Sequence, residues 1–128
     1  MNYYFSRFIS CTFDEAIANV TESLKNEGFG IISEIRMHEK LNEKLGIDFK
    51  RYTILGACNP TYAFQALKLE DKIGAMLPCN VLVIEQEEGK IEVAAINPEA
   101  SMQSIVNPDL QDVAAKVTVS LKKAVENI

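Results

Sequence analysis

Two short stretches of this sequence each combine a cysteine, an asparagine and a proline: Cys58-Asn59-Pro60 and Pro78-Cys79-Asn80. A thiol can attack an electrophile or bind a soft metal, and an amide side chain both donates and accepts hydrogen bonds. Each proline marks a junction between secondary-structure elements. If the strand that begins at Asn80 pairs with the strand that ends at Cys58, both stretches face one pocket. Its candidate ligand-binding residues are Cys58, Asn59, Cys79 and Asn80.

Three interpretations of these residues stay open. The leading hypothesis is a non-enzymatic domain that binds a small molecule or a partner in this pocket, because two similar polar motifs occur in apolar surroundings. An alternative is a thiol-dependent enzyme or redox protein that uses Cys58 or Cys79, since Cys58 precedes a predicted helix whose dipole favours a thiolate. The structural interpretation is that free cysteines pack as small apolar side chains and that Asn59 before Pro60 is an ordinary helix cap.

Metal ligands are scarce in this sequence, which contains three cysteines and one histidine. A structural zinc site uses about four cysteine or histidine ligands, and His38, on a predicted short helix, is expected to be solvated. No metal site is therefore predicted, although two thiolates could hold Cu(I) if a second subunit supplied further ligands. The sequence identifies no cofactor, because it contains no Cys-x-x-Cys and no glycine-rich phosphate loop that precedes a helix.

Charged residues cluster around the predicted start of the third strand, from Lys44 to Arg51. The simplest interpretation is a solvated edge of the sheet. The sharper alternative is that Lys44 or Arg51 clamps an anionic ligand near the cysteine–asparagine site.

Length and composition are typical of one globular domain that spans residues 1–128. The chain has 48% hydrophobic residues, and its net charge of −5 lacks the basic excess that nucleic-acid binding demands. No apolar stretch reaches the roughly 20 residues of a membrane span, and the residues after Met1 do not resemble a secretory signal. Together with an odd number of cysteines, this predicts a cytoplasmic protein with free thiols and without nucleic-acid or membrane partners.

Periodicity predicts the element order β-α-β-α-β-α-β-β-α. The predicted strands are residues 2–10, 30–35, 48–58, 80–85 and 91–96. The predicted helices begin at Thr12, which opens a capping box, at Met37, at Pro60 and at Pro108, with a further helical turn after Asp71. Apolar stripes on the first and last helices need one sheet face to cover. This predicts an α+β two-layer sandwich, with a single mixed or antiparallel sheet and helices packed on one face.

The fourth predicted strand contains an unbroken apolar run, Val81–Ile84. Such a run is typical of a central strand that is covered on both faces, or covered on one face by a partner subunit. A structural dimerisation module, displayed by this strand and the C-terminal helix, is therefore a further alternative.

The two cysteine–asparagine stretches belong to a pattern that extends over nearly the whole chain. Its residues are Gly28-Phe29-Gly30, Ile35, Lys44-Leu45-Gly46, Asp48-Phe49, Tyr52, Leu55-Gly56-Ala57-Cys58-Asn59-Pro60, Ala66, Ile73-Gly74 and Leu77-Pro78-Cys79-Asn80-Val81. With this pattern the sequence resembles the DUF302 family of small bacterial and archaeal proteins. The resemblance implies a compact α+β fold grouped near TATA-binding-protein-like (TBP-like) architectures, and it suggests a homodimer. It implies no activity.

Overall fold

The computed structural model describes the chain from Met1 to Ile128. Its elements are β1 (Tyr4–Ser10), α1 (Phe13–Asn26), β2 (Gly30–Arg36), α2 (Met37–Leu45), β3 (Tyr52–Cys58), α3 (Pro60–Leu69), a 3-10 helix (Asp71–Met76), β4 (Cys79–Glu87), β5 (Lys90–Ile96), α4 (Pro98–Ser101) and α5 (Pro108–Glu126). The predicted order of strands and helices is confirmed. The single addition is α4, one helical turn within the connection predicted between β5 and the last helix.

The largest error in a predicted boundary is at the third strand, which begins at Tyr52 and not at residue 48. Gly46 ends α2 with a left-handed φ of 66°, and the chain needs the following residues to return to the sheet. The backbone N–H of Tyr52 then donates to Nδ1 of His38 at 2.9 Å. His38 is therefore half-buried and ties α2 to the start of β3, contrary to the expectation that its ring is solvated.

The five strands form one sheet in the order β1-β5-β4-β3-β2, and every neighbouring pair is antiparallel. This settles the predicted choice between a mixed and an antiparallel sheet. β4 lies at the centre, with β3 on one side and β5 on the other. Because β3 and β4 are neighbours, the end of β3 meets the start of β4, where Ala57 faces Cys79.

The helices cover one face of this sheet, as predicted. α1 and α5 contact the strands and each other, and α3 packs beside α5. Val81 and Val83 of β4 point into this layer with no exposed surface, and they meet Leu110 and Leu121 of α5 in one apolar core. The apolar stripe of α5 is thus buried inside the chain. This stripe is therefore not available as a surface for association.

The opposite face of the sheet has no helix over it. Side chains alternate along a strand, so Leu82 and Ile84 of β4 point to this second face. Their cross-strand neighbours Ile54, on β3, and Ala94, on β5, point the same way, as does Phe8 of β1, which is 52% exposed. We call these residues the open face. Only one side of the apolar run Val81–Ile84 is therefore covered by helices, although Ile84 and Ala94 are themselves buried, with 7% and 5% of their surfaces exposed.

Helix ends follow local sequence rules. Thr12 and Glu15 form the predicted capping box of α1, and Gly28 ends that helix with a φ of 86° while Phe29 N–H donates to the Leu24 carbonyl. α3, α4 and α5 each begin with an Asn-Pro pair whose asparagine side chain accepts a backbone hydrogen bond: Asn59, Asn97 and Asn107. None of the helices combines the length and the apolar character that crossing a bilayer would require.

Candidate functional site

An apolar cavity of about 190 Å³ lies beside α3, at the junction of β3 and β4. Of its 14 lining residues, 12 are hydrophobic, so a bound molecule would meet hydrocarbon and sulfur on nearly every side. Three of the four predicted site residues line it: Cys58, Asn59 and Cys79. We call it the Cys58–Cys79 cavity.

Strand pairing brings the two cysteines together. β3 ends at Cys58, and β4 begins at Cys79 opposite Ala57, so the two thiols belong to neighbouring strands at one end of the sheet. Tyr62, Ala63 and Ala66 of α3 form the facing wall. The small alanine side chains on this helix leave the space that the cavity occupies.

Cys79 is the more enclosed of the two cysteines, with 8% of its surface exposed. Burial raises the pKa of the Cys79 thiol to about 11, and the nearby Cys58 thiol adds to the increase. At neutral pH Cys79 is therefore protonated. A protonated thiol is a poor nucleophile and a poor ligand for soft metals, because the thiolate is the reactive form.

Asn59 supports the wall of the cavity mainly through its role at the helix start. Its Oδ1 accepts a hydrogen bond from the backbone N–H of Tyr62 at 3.3 Å, and Pro60 occupies the first helical position. This confirms the helix cap expected from the Asn-Pro pair. The amide nitrogen lies beside Gly28, where a Cβ would approach it to 3.0 Å.

Asn80 lies outside the Cys58–Cys79 cavity, contrary to the predicted grouping. Because β4 already begins at Cys79, Cys79 and Asn80 are consecutive strand residues and point to opposite faces. Asn80 instead lines a separate 320 Å³ depression with Ile96 and Pro98. Its side chain is exposed.

The charged run before β3 also lies away from this cavity. Arg51 precedes the start of β3, whereas Cys58 ends that strand, roughly 20 Å away at about 3.4 Å per residue. Lys44 is exposed on α2 and does not line the Cys58–Cys79 cavity. The interpretation that Lys44 or Arg51 clamps an anion near the cysteine–asparagine site is therefore wrong.

Several lining residues gave no signal in the sequence. Phe29 follows α1, Leu77 follows the 3-10 helix, and Met102 follows α4, so none of the three belongs to a helix or strand. The facing wall itself belongs to the helix that was predicted to begin at Pro60. No three His, Cys, Asp or Glu side chains approach closely enough to hold a metal ion.

A family model, a solved structure and a further relative resemble this chain. A family model described as "Domain of unknown function DUF302" matches residues 6–128. The crystal structure of an uncharacterized conserved protein DUF302 from Bacillus stearothermophilus has a TM-score of 0.91 to this chain and 31% sequence identity, over 99% of this chain and 98% of that one. An uncharacterized protein of Aquifex aeolicus (strain VF5) is 28% identical over 81 residues, or 61% of this chain. That match covers 56% of the Aquifex protein, so the chain spans little more than half of its length.

Proposed function

Since the chain belongs to the DUF302 family, described as a domain of unknown function, we propose its role from geometry: a non-enzymatic domain that binds a small apolar molecule in the Cys58–Cys79 cavity. The observation that carries this proposal is the cavity itself, with 12 hydrophobic residues among 14. An apolar cavity of roughly 150 Å³ is large enough to bind benzene. A ligand the size of one ring or a short acyl chain therefore suits 190 Å³.

The chemistry of the lining favours binding over catalysis. The raised pKa of Cys79 keeps that thiol protonated at neutral pH, which argues against a redox or nucleophilic role for it. A protonated thiol remains a soft, weakly polar contact for an aromatic or aliphatic ligand. We also propose a cytoplasmic location, which the three free thiols support because free thiols are typical of a reducing compartment.

Filling the cavity is expected to abolish this binding. In an NMR titration, toluene should shift resonances of Met102 and Leu77 saturably, with a dissociation constant of about 0.1–1 mM. Ala63 is a half-buried residue of α3 that lines the cavity. Ala63→Phe therefore places a ring in the cavity and should remove the saturable shifts. Ala18→Phe, the same change at an exposed position of α1, should retain them. Toluene shifts that persist in folded Ala63→Phe protein would refute the proposal.

A second role, association of two copies through the open face, is favoured by the apolar run of β4. No helix of the chain covers this face, where Leu82 is half-buried and Phe8 is 52% exposed, and a partner subunit would cover both side chains. Five strands of about seven residues span roughly 24 Å by 24 Å, or about 570 Å² in projection. That is comparable with the ~800 Å² of accessible surface that each partner buries in a standard interface. We therefore propose a homodimer.

Charge on the open face should separate the two copies. Phe8→Glu introduces a carboxylate on this face, and we expect analytical ultracentrifugation to change from dimer to monomer. Val119→Glu alters a residue of α5 that is 66% exposed on the helical side of the molecule, and it should leave the dimer intact. A monomeric wild-type chain at about 100 μM would exclude this interface, because even a weak dimer would form at that concentration.

A further inference from the structure

A second concave site lies at the opposite end of β3 from the Cys58–Cys79 cavity. It is a cleft of about 490 Å³, bounded by the first turn of α1, the end of β2, the start of α2 and the residue before β3. Its lining is mostly polar or charged, with Asp14, Glu34, Arg36, His38, Glu39, Arg51 and Thr53 beside Phe13 and Ile17. We call it the Arg51 cleft.

Some charges in this cleft are already paired. Arg36 lies 3.6 Å from a Glu34 oxygen and 3.5 Å from a Glu39 oxygen, so this one guanidinium is shared between two carboxylates. Nδ1 of His38 is engaged by the backbone of Tyr52. These groups shape the wall of the cleft and have little capacity left for a ligand.

Two opposite charges remain without a partner. The guanidinium of Arg51 lies 5.6 Å from the centroid of the Phe13 ring, and no carboxylate approaches within 4.0 Å of it, since Arg51 and Asp14 are absent from every ion pair of the chain. Stacking on an aromatic ring holds a guanidinium in place while its donors stay free. Asp14, in the first turn of α1, supplies the free carboxylate of the same cleft.

The floor of the cleft carries an unused hydroxyl. Thr53 is 1% exposed and lines the cleft, yet its hydroxyl takes no part in any side-chain hydrogen bond. Every fully enclosed side-chain polar atom of the chain has a partner, so the hydroxyl is the part of Thr53 that the cleft still reaches. The Thr53 hydroxyl is therefore available to a ligand in the cleft, and a hydrogen bond to it would add to the binding free energy.

We propose that the Arg51 cleft binds a small zwitterion of the amino-acid type, with its carboxylate on Arg51, its ammonium group on Asp14 and a hydrogen bond to Thr53. Guanidinium binds carboxylate through two parallel hydrogen bonds. The cleft holds three carboxylates against two guanidiniums, so a doubly charged anion such as phosphate is disfavoured. A ligand that carries both charges satisfies both free groups together.

The test is an NMR titration with the common L-amino acids, using amide resonances of Arg51 and Thr53 as reporters. At least one amino acid should bind saturably below about 10 mM, and neither its deaminated acid nor its decarboxylated amine should bind comparably. Arg51→Gln should weaken binding at least tenfold, as expected for a charged hydrogen bond. Lys50→Gln changes the neighbouring cation, which bonds to Gln86 outside the cleft, and should leave the affinity unchanged.

Thr53→Val distinguishes a ligand-binding role from a structural one. Valine has nearly the shape of threonine, and the lost hydroxyl has no partner in the protein, so the melting temperature of the free protein should be unchanged or higher. The affinity should fall about three- to tenfold, the loss of one hydrogen bond. Three results would each overturn the proposal: no amino acid binds, the deaminated acid binds as tightly, or Thr53→Val lowers the melting temperature without changing affinity.

Discussion

Replacing Gly56 with alanine is expected to destabilise the fold by about 3 kcal/mol, in the upper part of the range for overpacking a filled site. Gly56 pairs with Ser33 on one side and with Asn80 on the other. A Cβ at this position would lie 2.6 Å from Cγ of Pro78, and it would collide with the Ser33 side chain. The serine can rotate away, but the proline ring cannot, so neighbouring strands must shift. Urea denaturation measures the effect directly.

Gly30→Ala is the matched control, because Gly30 also lies in a strand and a Cβ there meets no atom within 4 Å. This variant should keep the wild-type stability or gain up to about 1 kcal/mol from the stiffer unfolded chain. Equal urea midpoints for Gly56→Ala and Gly30→Ala would show that the close approach of Pro78 and Ser33 to Gly56 does not exclude a side chain there. Because Pro78 also lines the Cys58–Cys79 cavity, Gly56→Ala should weaken toluene binding as well.

The second large effect is a loss of stability at alkaline pH that depends on Cys79. The pKa of this thiol is raised from 9.0 to about 11 in the folded protein. Below pH 9 the folded and unfolded chains both keep the proton, and stability is at its full value. Between pH 9 and pH 11 the unfolded chain loses the proton while the folded chain retains it, so stability falls with rising pH. The expected loss is about 3 kcal/mol at about 1.4 kcal/mol per pKa unit.

Cys79→Ala removes this titration, and its urea stability should decline less than that of the wild type over the same pH range. Lysine and tyrosine side chains also titrate there, so the informative quantity is the difference between the two slopes. If both proteins lose the same stability between pH 9 and pH 11, Cys79 is not held as a neutral thiol by burial.

Local rules accounted for much of the fold. The capping box at Thr12, the glycine stop at Gly28 and the Asn-Pro helix starts depend on a few adjacent residues, and each is present as predicted. The two-layer arrangement followed from apolar stripes that had to be buried. The start of β3 was placed four residues early, because Phe49 and the residues around it suit a strand locally while the return path from α2 determines where pairing can begin.

The candidate site was only partly accessible to sequence reasoning. The sequence predicts that Cys58 and Cys79 share a pocket only on the condition that their strands pair. The pairing of β3 with β4 meets this condition. Asn80 was misplaced because the strand was started one residue late, and alternation along a strand sends adjacent side chains to opposite faces. The Arg51 cleft combines residues from α1, β2, α2 and β3 with Arg51 itself, and no local sequence pattern predicts that these elements come together.

The Asn-Pro starts of three helices also bear on what this domain cannot easily recognise. A helix N-terminus attracts phosphate because its first backbone N–H groups have no partner. Here proline removes one such donor, and the asparagine of the same pair occupies at least one more at α3, α4 and α5. Neutral asparagine side chains thus occupy part of the N–H groups at these three helix starts. A phosphate therefore finds fewer free backbone N–H groups at these helix starts, and recognition of charge falls mainly to side chains such as Arg51.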